Sequence, residues 1–174
     1  MPEHYDPFLI RDYISPSLDT TISAICHLVQ QLSLFPHQGE FVCSRPELAK
    51  RAISEAIRLG SPIRSFARVV SEDVEVEGTF IPKNSRVMML FASANRDEKM
   101  FSNSDEFDLE RPVSEHLGFG HGIHTCVGMH LAQMEMQALL EALISQVQEI
   151  EILEFAPLAN NTISGFSVMK GRFK

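Results

Sequence analysis

The stretch Phe119-Gly120-His121-Gly122-Ile123-His124-Thr125-Cys126-Val127-Gly128 constrains this chain more than any other. It sets Phe, Gly, His, Cys and Gly in the spacing F-x-x-G-x-H-x-C-x-G, just ahead of a helical pattern. Five fixed positions at roughly one chance in twenty each make an accidental match rare, on the order of one in millions per starting point. Gly122 and Gly128 suit a tight loop and close approach of backbone to a ligand. Cys126 is read at the beginning of the following helix, where free N–H groups and the positive dipole end favour an anion. The thiolate is the metal-binding form of cysteine, and coordination completes its deprotonation. Two plainer readings compete. A lone cysteine is usually a small buried hydrophobe, which is how Cys26 and Cys43 read. Zinc is the other, because His121, His124, Cys126 and His130 lie close together, although not in the spaced pairs of structural zinc sites.

The periodicity around this loop is mostly helical. Leu18, Ile22, Ile25, Val29 and Leu32 recur at three- and four-residue steps and predict a helix from about Ser15, buried along that stripe and stopped by Pro36. A second helix is expected over Pro46 to Leu59, with Pro46 in its first turn and Gly60 as its C-terminal cap. Ala67 to Val70, Val74 to Glu77 and Arg86 to Phe91 read as strands of one small antiparallel sheet, punctuated by Gly78 and Pro82. Residues 92–118 lack periodicity, which in a compact domain marks a functional or disordered segment. A long helix is expected from Cys126 to Val147, buried through Leu131, Leu139, Leu140, Leu143 and Val147. Two strands around Pro157 and the Asn160-Asn161 turn complete the chain.

With 174 residues the chain is long enough for one domain with an apolar core. The formal charge of −8 excludes the cationic character that nucleic acid or an anionic membrane would reward. No run approaches the ~18 apolar residues of a membrane span, and Met1 to Asp6 lack the start of a secretory signal. Three cysteines are too sparse for a disulfide framework, so a cytoplasmic setting is expected.

The cysteine pattern is the haem-ligand signature of the cytochrome P-450 superfamily, and the chain resembles the C-terminal half of such a protein. Further motifs follow in the family's order. Glu55-Ala56-Ile57-Arg58 resembles its E-x-x-R, and Arg111 in Phe107-Asp108-Leu109-Glu110-Arg111-Pro112 matches the arginine that completes a buried structural network with Glu55 and Arg58. Alone, an i, i+3 pair of this kind is common and contributes about 0–1 kcal/mol when exposed. Arg68 falls where the family binds a haem propionate; a solvated arginine at a strand edge is the alternative. Ser93-Ala94-Asn95-Arg96-Asp97 resembles the segment before the family's meander. Pro16-Ser17-Leu18-Asp19-Thr20-Thr21 resembles the oxygen-activating stretch of its long central helix, with Pro16-Ser17 replacing the usual Ala-Gly. A proline there opens a kink, and Asp19 and Thr20 take the positions of an acid and an alcohol that relay protons. A plainer reading has Ser15 capping a helix that starts at Pro16.

The resemblance implies a mainly α fold with small antiparallel sheets, a partial version of the family architecture. It implies haem b (iron protoporphyrin IX) with Cys126 as axial ligand, Phe119 beside the sulfur and His124 at a propionate. Thiolate ligation favours O–O cleavage, so the implied activity is monooxygenation of a small organic substrate, with electrons from a ferredoxin-type donor. Ile63 to Ala67 and Ser164-Gly165-Phe166 are implied substrate contacts. The match begins in the middle of the family fold, which leaves apolar faces to be hidden; a homodimer over the open haem side is one expectation. Haem binding without monooxygenase turnover (sensor, carrier or peroxide-using) and a non-functional remnant are the rival readings.

Overall fold

The computed structural model describes residues 6–111 and 116–174. Met1 to Tyr5, and Pro112 at the end of the Phe107 segment, lie outside the described residues. The first helix, α1 (Asp6–Leu34), starts well before the expected Ser15 and runs through Pro16 without a break. Ser15 is therefore inside α1 and is not its cap. Pro16 lacks an N–H and deprives the Asp12 carbonyl of its helical partner. Two hydroxyls turn back onto the backbone beside it, Ser17 Oγ donating to the Ile14 carbonyl at 2.8 Å and Thr20 Oγ1 to the Pro16 carbonyl at 2.6 Å.

The apolar periodicity of α1 marks its buried face only in part: Leu32 is buried and Ile25 packs on the core, but the first two residues of the stripe face outward. Leu18 and Ile22 are 55% and 57% exposed, whereas Ala24, Leu28 and Leu32 enter the core with Thr21, Ser23, His27 and Gln31 beside them. After Leu34 a short helix, α2 (Pro36–Ser44), uses Pro36 in its first turn, so that proline ends one helix and begins the next. A 3₁₀ turn, Pro46–Leu48, leads into α3 (Ala49–Gly60). Small residues at Ala49, Ala52 and Ala56, with Ile53 and Ile57, are all buried and allow close helix contact with α1. The left-handed cap position belongs to Ser61 (φ 41°), not to Gly60.

The expected single sheet is two separate two-stranded antiparallel sheets. Strand β1 (Phe66–Val69) pairs antiparallel with β4 (Arg86–Met89), and β2 (Val74–Val76) with β3 (Thr79–Ile81). Glu77 and Gly78, both at positive φ (47° and 77°), form the tight turn between β2 and β3. Phe91, expected at a strand end, instead buries its ring and opens a one-turn helix, α4 (Phe91–Ala94). The last long helix, α5 (Met129–Gln146), buries Met136 and Leu140; Leu139, Leu143 and Val147 are half-buried, and Leu131 is exposed. Strands β5 (Ile150–Pro157) and β6 (Phe166–Phe173) pair antiparallel. The core joins α1, α2, α3 and α5 with Phe107 and Leu109 of the irregular segment. The fold is thus mainly α with small antiparallel sheets. Of the two cysteines read as buried, Cys26 is half-buried and Cys43 is exposed.

Candidate functional site

The cysteine loop is built from short turns rather than a continuous element. A 3₁₀ turn, Leu117–Phe119, is followed by Gly120 (φ 71°) and Gly122 (φ 66°), both in backbone regions that L side chains rarely adopt. A second turn, Gly122–His124, is closed by the Thr125 amide and hydroxyl, which donate to the Gly122 carbonyl at 3.0 and 2.8 Å. The Cys126 amide then donates to the Phe119 carbonyl at 2.8 Å, shutting the loop on itself. Helix α5 begins at Met129 with Gly128 as its N-cap, so Cys126 stands just ahead of the helix and not on its first residue. Gly128 has an ordinary φ of −87°; a Cβ there would meet Cys126 Sγ at a van der Waals distance of 3.9 Å. The positive-φ glycine that sequence reading missed is Gly120.

This loop turns its functional side chains outward. Cys126, His121, His124 and His130 are exposed, and Ile123 and Val127 are 97% and 82% exposed. Phe119 is half-buried, with its ring near His116 (6.1 Å between centroids) and against the core. What the structure sets beside Cys126 is the Phe119 carbonyl. Behind the loop, Gly118 fits closely over Ile57, leaving no room for a Cβ. The Gly118 amide donates to His116 Nδ1 at 3.0 Å. Burial holds the His116 imidazole below its usual range; Glu55 opposes that shift and Arg58 adds to it.

Glu55, Arg58 and Arg111 meet in one buried network. The Glu55 carboxylate accepts from Arg58 Nη2 and Nε at 2.7 and 2.8 Å, and from Arg111 Nε at 2.9 Å. Two guanidiniums face one carboxylate, and the surplus positive charge is met by carbonyls. Arg58 Nη1 donates to Asn95 and Ser104 at 2.8 and 2.6 Å, and Arg111 donates to Ser102, Asn103 and Glu106. Such hydrogen bonding is what makes a buried charged group tolerable. Burial pushes the Glu55 carboxyl upward, but the two arginines outweigh it and hold it below its ordinary range.

The network reaches the cysteine loop through Asn95, a fully buried residue whose role the sequence did not disclose. Asn95 Nδ2 donates to Ser61 Oγ at 3.0 Å, and Oδ1 accepts from the Leu117 amide at 2.7 Å. Its only sequence signal was its place in Ser93–Asp97. Elsewhere, Asp19 is exposed and Thr20 is half-buried, its hydroxyl engaged by Pro16. Arg68 on β1 is half-buried and donates to the Ala67 carbonyl at 2.9 Å, with no ion pair among the described residues. No hydrogen bond among the described residues joins Asp19, Thr20 or Arg68 to the cysteine loop. The two implied substrate-contact stretches do meet: Ile63 bridges Ile163, the Ser164 amide donates to the Pro62 carbonyl at 2.9 Å, and the Arg64 amide to Thr162 at 2.8 Å.

A model of the cytochrome P-450 family matches residues 44–153. The chain belongs to the cytochrome P-450 family. It is 40% identical over 162 residues to cytochrome P-450 CYP199A2 of Rhodopseudomonas palustris, covering 91% of this chain and 39% of that protein. It is 38% identical over 153 residues to linalool 8-monooxygenase of Pseudomonas putida, covering 84% and 38%. Among solved structures it superposes on P450BioI bound to an acyl carrier protein carrying hexadec-9Z-enoic acid (TM-score 0.86, 32% identity, 90% of this chain and 41% of that one). The structure of CYP108D1 from Novosphingobium aromaticivorans is similar too (TM-score 0.85, 32% identity, 90% and 38%). The chain spans about two fifths of the length of these relatives.

Members of the cytochrome P-450 family bind haem b through a cysteine thiolate. The residues present suit that group. The Cys126 thiol is exposed at the head of a loop stiffened by its own backbone bonds, apolar Ile123 and Val127 flank it, and Arg68 carries a cation unpaired among the described residues. Among the described residues no helix is long and apolar enough to cross a membrane.

Proposed function

We propose that the chain is a single haem-binding domain with monooxygenase-type activity, in which Cys126 ligates the iron of haem b. The observation that supports this best is the closed Phe119–Gly128 loop, which presents an exposed thiol among exposed apolar side chains. An exposed cysteine so surrounded has no packing role, and the motif around it is that of a haem ligand. When bound, the haem supplies oxygen activation, which a thiolate ligand promotes.

The chain's own residues then divide the remaining work. Gly120 and Gly122 shape the loop, and Gly128 leaves the space beside Cys126 Sγ open. Phe119 anchors Cys126 through its carbonyl, while His124 and Arg68 hold the propionates. Glu55, Arg58 and Arg111 brace the irregular segment, and Asn95 carries that bracing to Leu117. Asp19 and Thr20 handle protons. The Thr20 hydroxyl already donates to the Pro16 carbonyl, so its free lone pairs accept a hydrogen bond, and it would turn about χ1 to donate its own proton onward. The substrate is a small organic molecule, the electron donor a ferredoxin-type protein, and the setting cytoplasmic. A second copy of the chain covers the exposed apolar side chains of α1 and the cysteine loop.

The absorption spectrum of the reduced, carbon monoxide-treated protein tests this reading, beside that of Cys126→Ser. A strongly red-shifted Soret band, absent from the variant, is expected. Haem with an ordinary carbon monoxide spectrum supports haem binding without monooxygenase turnover, a reading that the openness of the Cys126 loop favours. No retained haem overturns both.

A further inference from the structure

A histidine that the proposed haem site does not use lies buried in the middle of α1. His27 is 8% exposed, one turn beyond Ser23 at 4%. Burying an imidazole costs free energy unless its polar atoms are satisfied, and here Ser164 satisfies Nε2. His27 Nε2 lies 3.0 Å from the Ser164 carbonyl oxygen and 3.1 Å from Ser164 Oγ. Ser23 Oγ donates to the same carbonyl. A carbonyl has two lone pairs and accepts two donors, so Ser164 is held from α1 by a matched pair of side chains four residues apart. Because the carbonyl can only accept, the hydrogen of the His27 ring is on Nε2.

The surroundings are shaped to this ring. Its centroid is 4.9 Å from that of Phe166, tilted by 59°. Opposite, a Cβ on Gly60 would come within 2.5 Å of the ring. Gly165 sits over Ser23, where a Cβ would lie 3.4 Å from the hydroxyl. The turn carrying Ser164 is also tied to the segment after α3 through Pro62, Arg64 and Ile63, and to β5 through the Leu158 amide, which donates to Gly165 at 2.8 Å. Two elements distant in sequence, α1 and the segment after α3, thus converge on Ser164.

We propose that His27 is a positioning residue: with Ser23 it clasps the 160–166 turn to α1 and thereby sets the wall that this turn and residues 62–64 present to a bound substrate. The wall half of this statement rests on the haem reading above; the clasp does not. His27→Phe keeps an aromatic ring beside Phe166 but removes the donor. His27→Gln restores an N–H near the place of Nε2.

Amide hydrogen exchange in the whole chain tests the clasp. In His27→Phe the amides of Leu158, Ser164 and Arg64 are expected to exchange about tenfold faster, the loss of one net hydrogen bond. The amides of α3 from Ile53 to Ala56, away from Gly60, stay unchanged, His27→Gln returns the joint to the parent rate, and ¹⁵N shifts of the parent place the His27 proton on Nε2. Unchanged joint amides in His27→Phe, an equal rise across α3, no rescue by glutamine, or a proton on Nδ1 each overturn it. The wall is read by titrating the haem-loaded protein with imidazole and 4-phenylimidazole. His27→Phe is expected to change the affinity for the bulky azole several-fold and leave imidazole alone; equal effects on both overturn the wall. A parent with no Soret band fails the haem reading instead, and the exchange data still decide the clasp.

Discussion

Gly60 is the last residue of α3, and the His27 ring occupies the space where its side chain would be. In an exposed helix interior, glycine to alanine is favourable by about 1 kcal/mol. Here the added methyl drives into a buried ring that is itself fixed by Ser164. Gly60→Ala is therefore expected to destabilise by about 1–3 kcal/mol, the usual cost of overpacking. Urea denaturation checks this, and combining the change with His27→Ala should remove most of the loss, because the collision partner is gone. The glycine reads from sequence as a helix cap, since both roles place glycine at the same position; only the neighbouring helix tells them apart. Ser61 takes the left-handed position instead, and its hydroxyl is used twice, donating to Arg58 and accepting from Asn95.

The elements show where sequence reading succeeds and where it stops. Helix α3 was legible because its apolar residues and Glu55–Arg58 pair fall at helical spacing, and the β5–β6 hairpin because turn residues separate two apolar runs. In α1 the stripe of large residues from Leu18 to Ile22 faces outward, and the core side is made of Ala24, Leu28 and polar residues that pair after folding. A polar residue with a distant partner, such as His27 or Asn95, carries no period and leaves no trace until the partner is located. The cysteine loop was legible in its residue types; its closure by the Cys126 amide on Phe119 was not. The bracing network yields a test with a definite sign. Glu55 in the folded chain holds its charge to lower pH than in the unfolded chain, so below its ordinary range the unfolded state takes up the proton first. Its contribution is present above that range and is lost as pH falls through the folded value. Glu55→Gln leaves two buried guanidiniums short of an anion and is expected to cost about 3–5 kcal/mol at neutral pH. The variant's denaturation midpoint should also vary less than the parent's between neutral and acid pH.

Across the whole molecule, large apolar side chains face outward on α1, on β4 and on the cysteine loop: Leu18 and Ile22, Met88 and Met89, Ile123 and Val127. A stable interface buries at least about 1,200 Å² in total. If a second copy provides it, sedimentation at micromolar concentration is expected to give a dimer with weak binding of hydrophobic dyes. Ile22→Glu, on a face with no role in the core, should return it to monomer. A monodisperse parent monomer that ignores the dye removes the dimer.

The bond from His27 to Ser164 spans 137 positions, and that from Glu55 to Arg111 spans 56. Contacts this remote close late, because the intervening chain must first be gathered at an entropic cost. During synthesis α1 therefore leaves the ribosome with its histidine unsatisfied, and keeps it so until the 160–166 turn arrives. For that interval the nascent chain carries an unfinished helix face and β5 without its partner strand, the sort of surface that chaperones hold and aggregates recruit. Yield on expression should thus depend on how quickly that last turn is made and captured, more than on how stable the finished protein is.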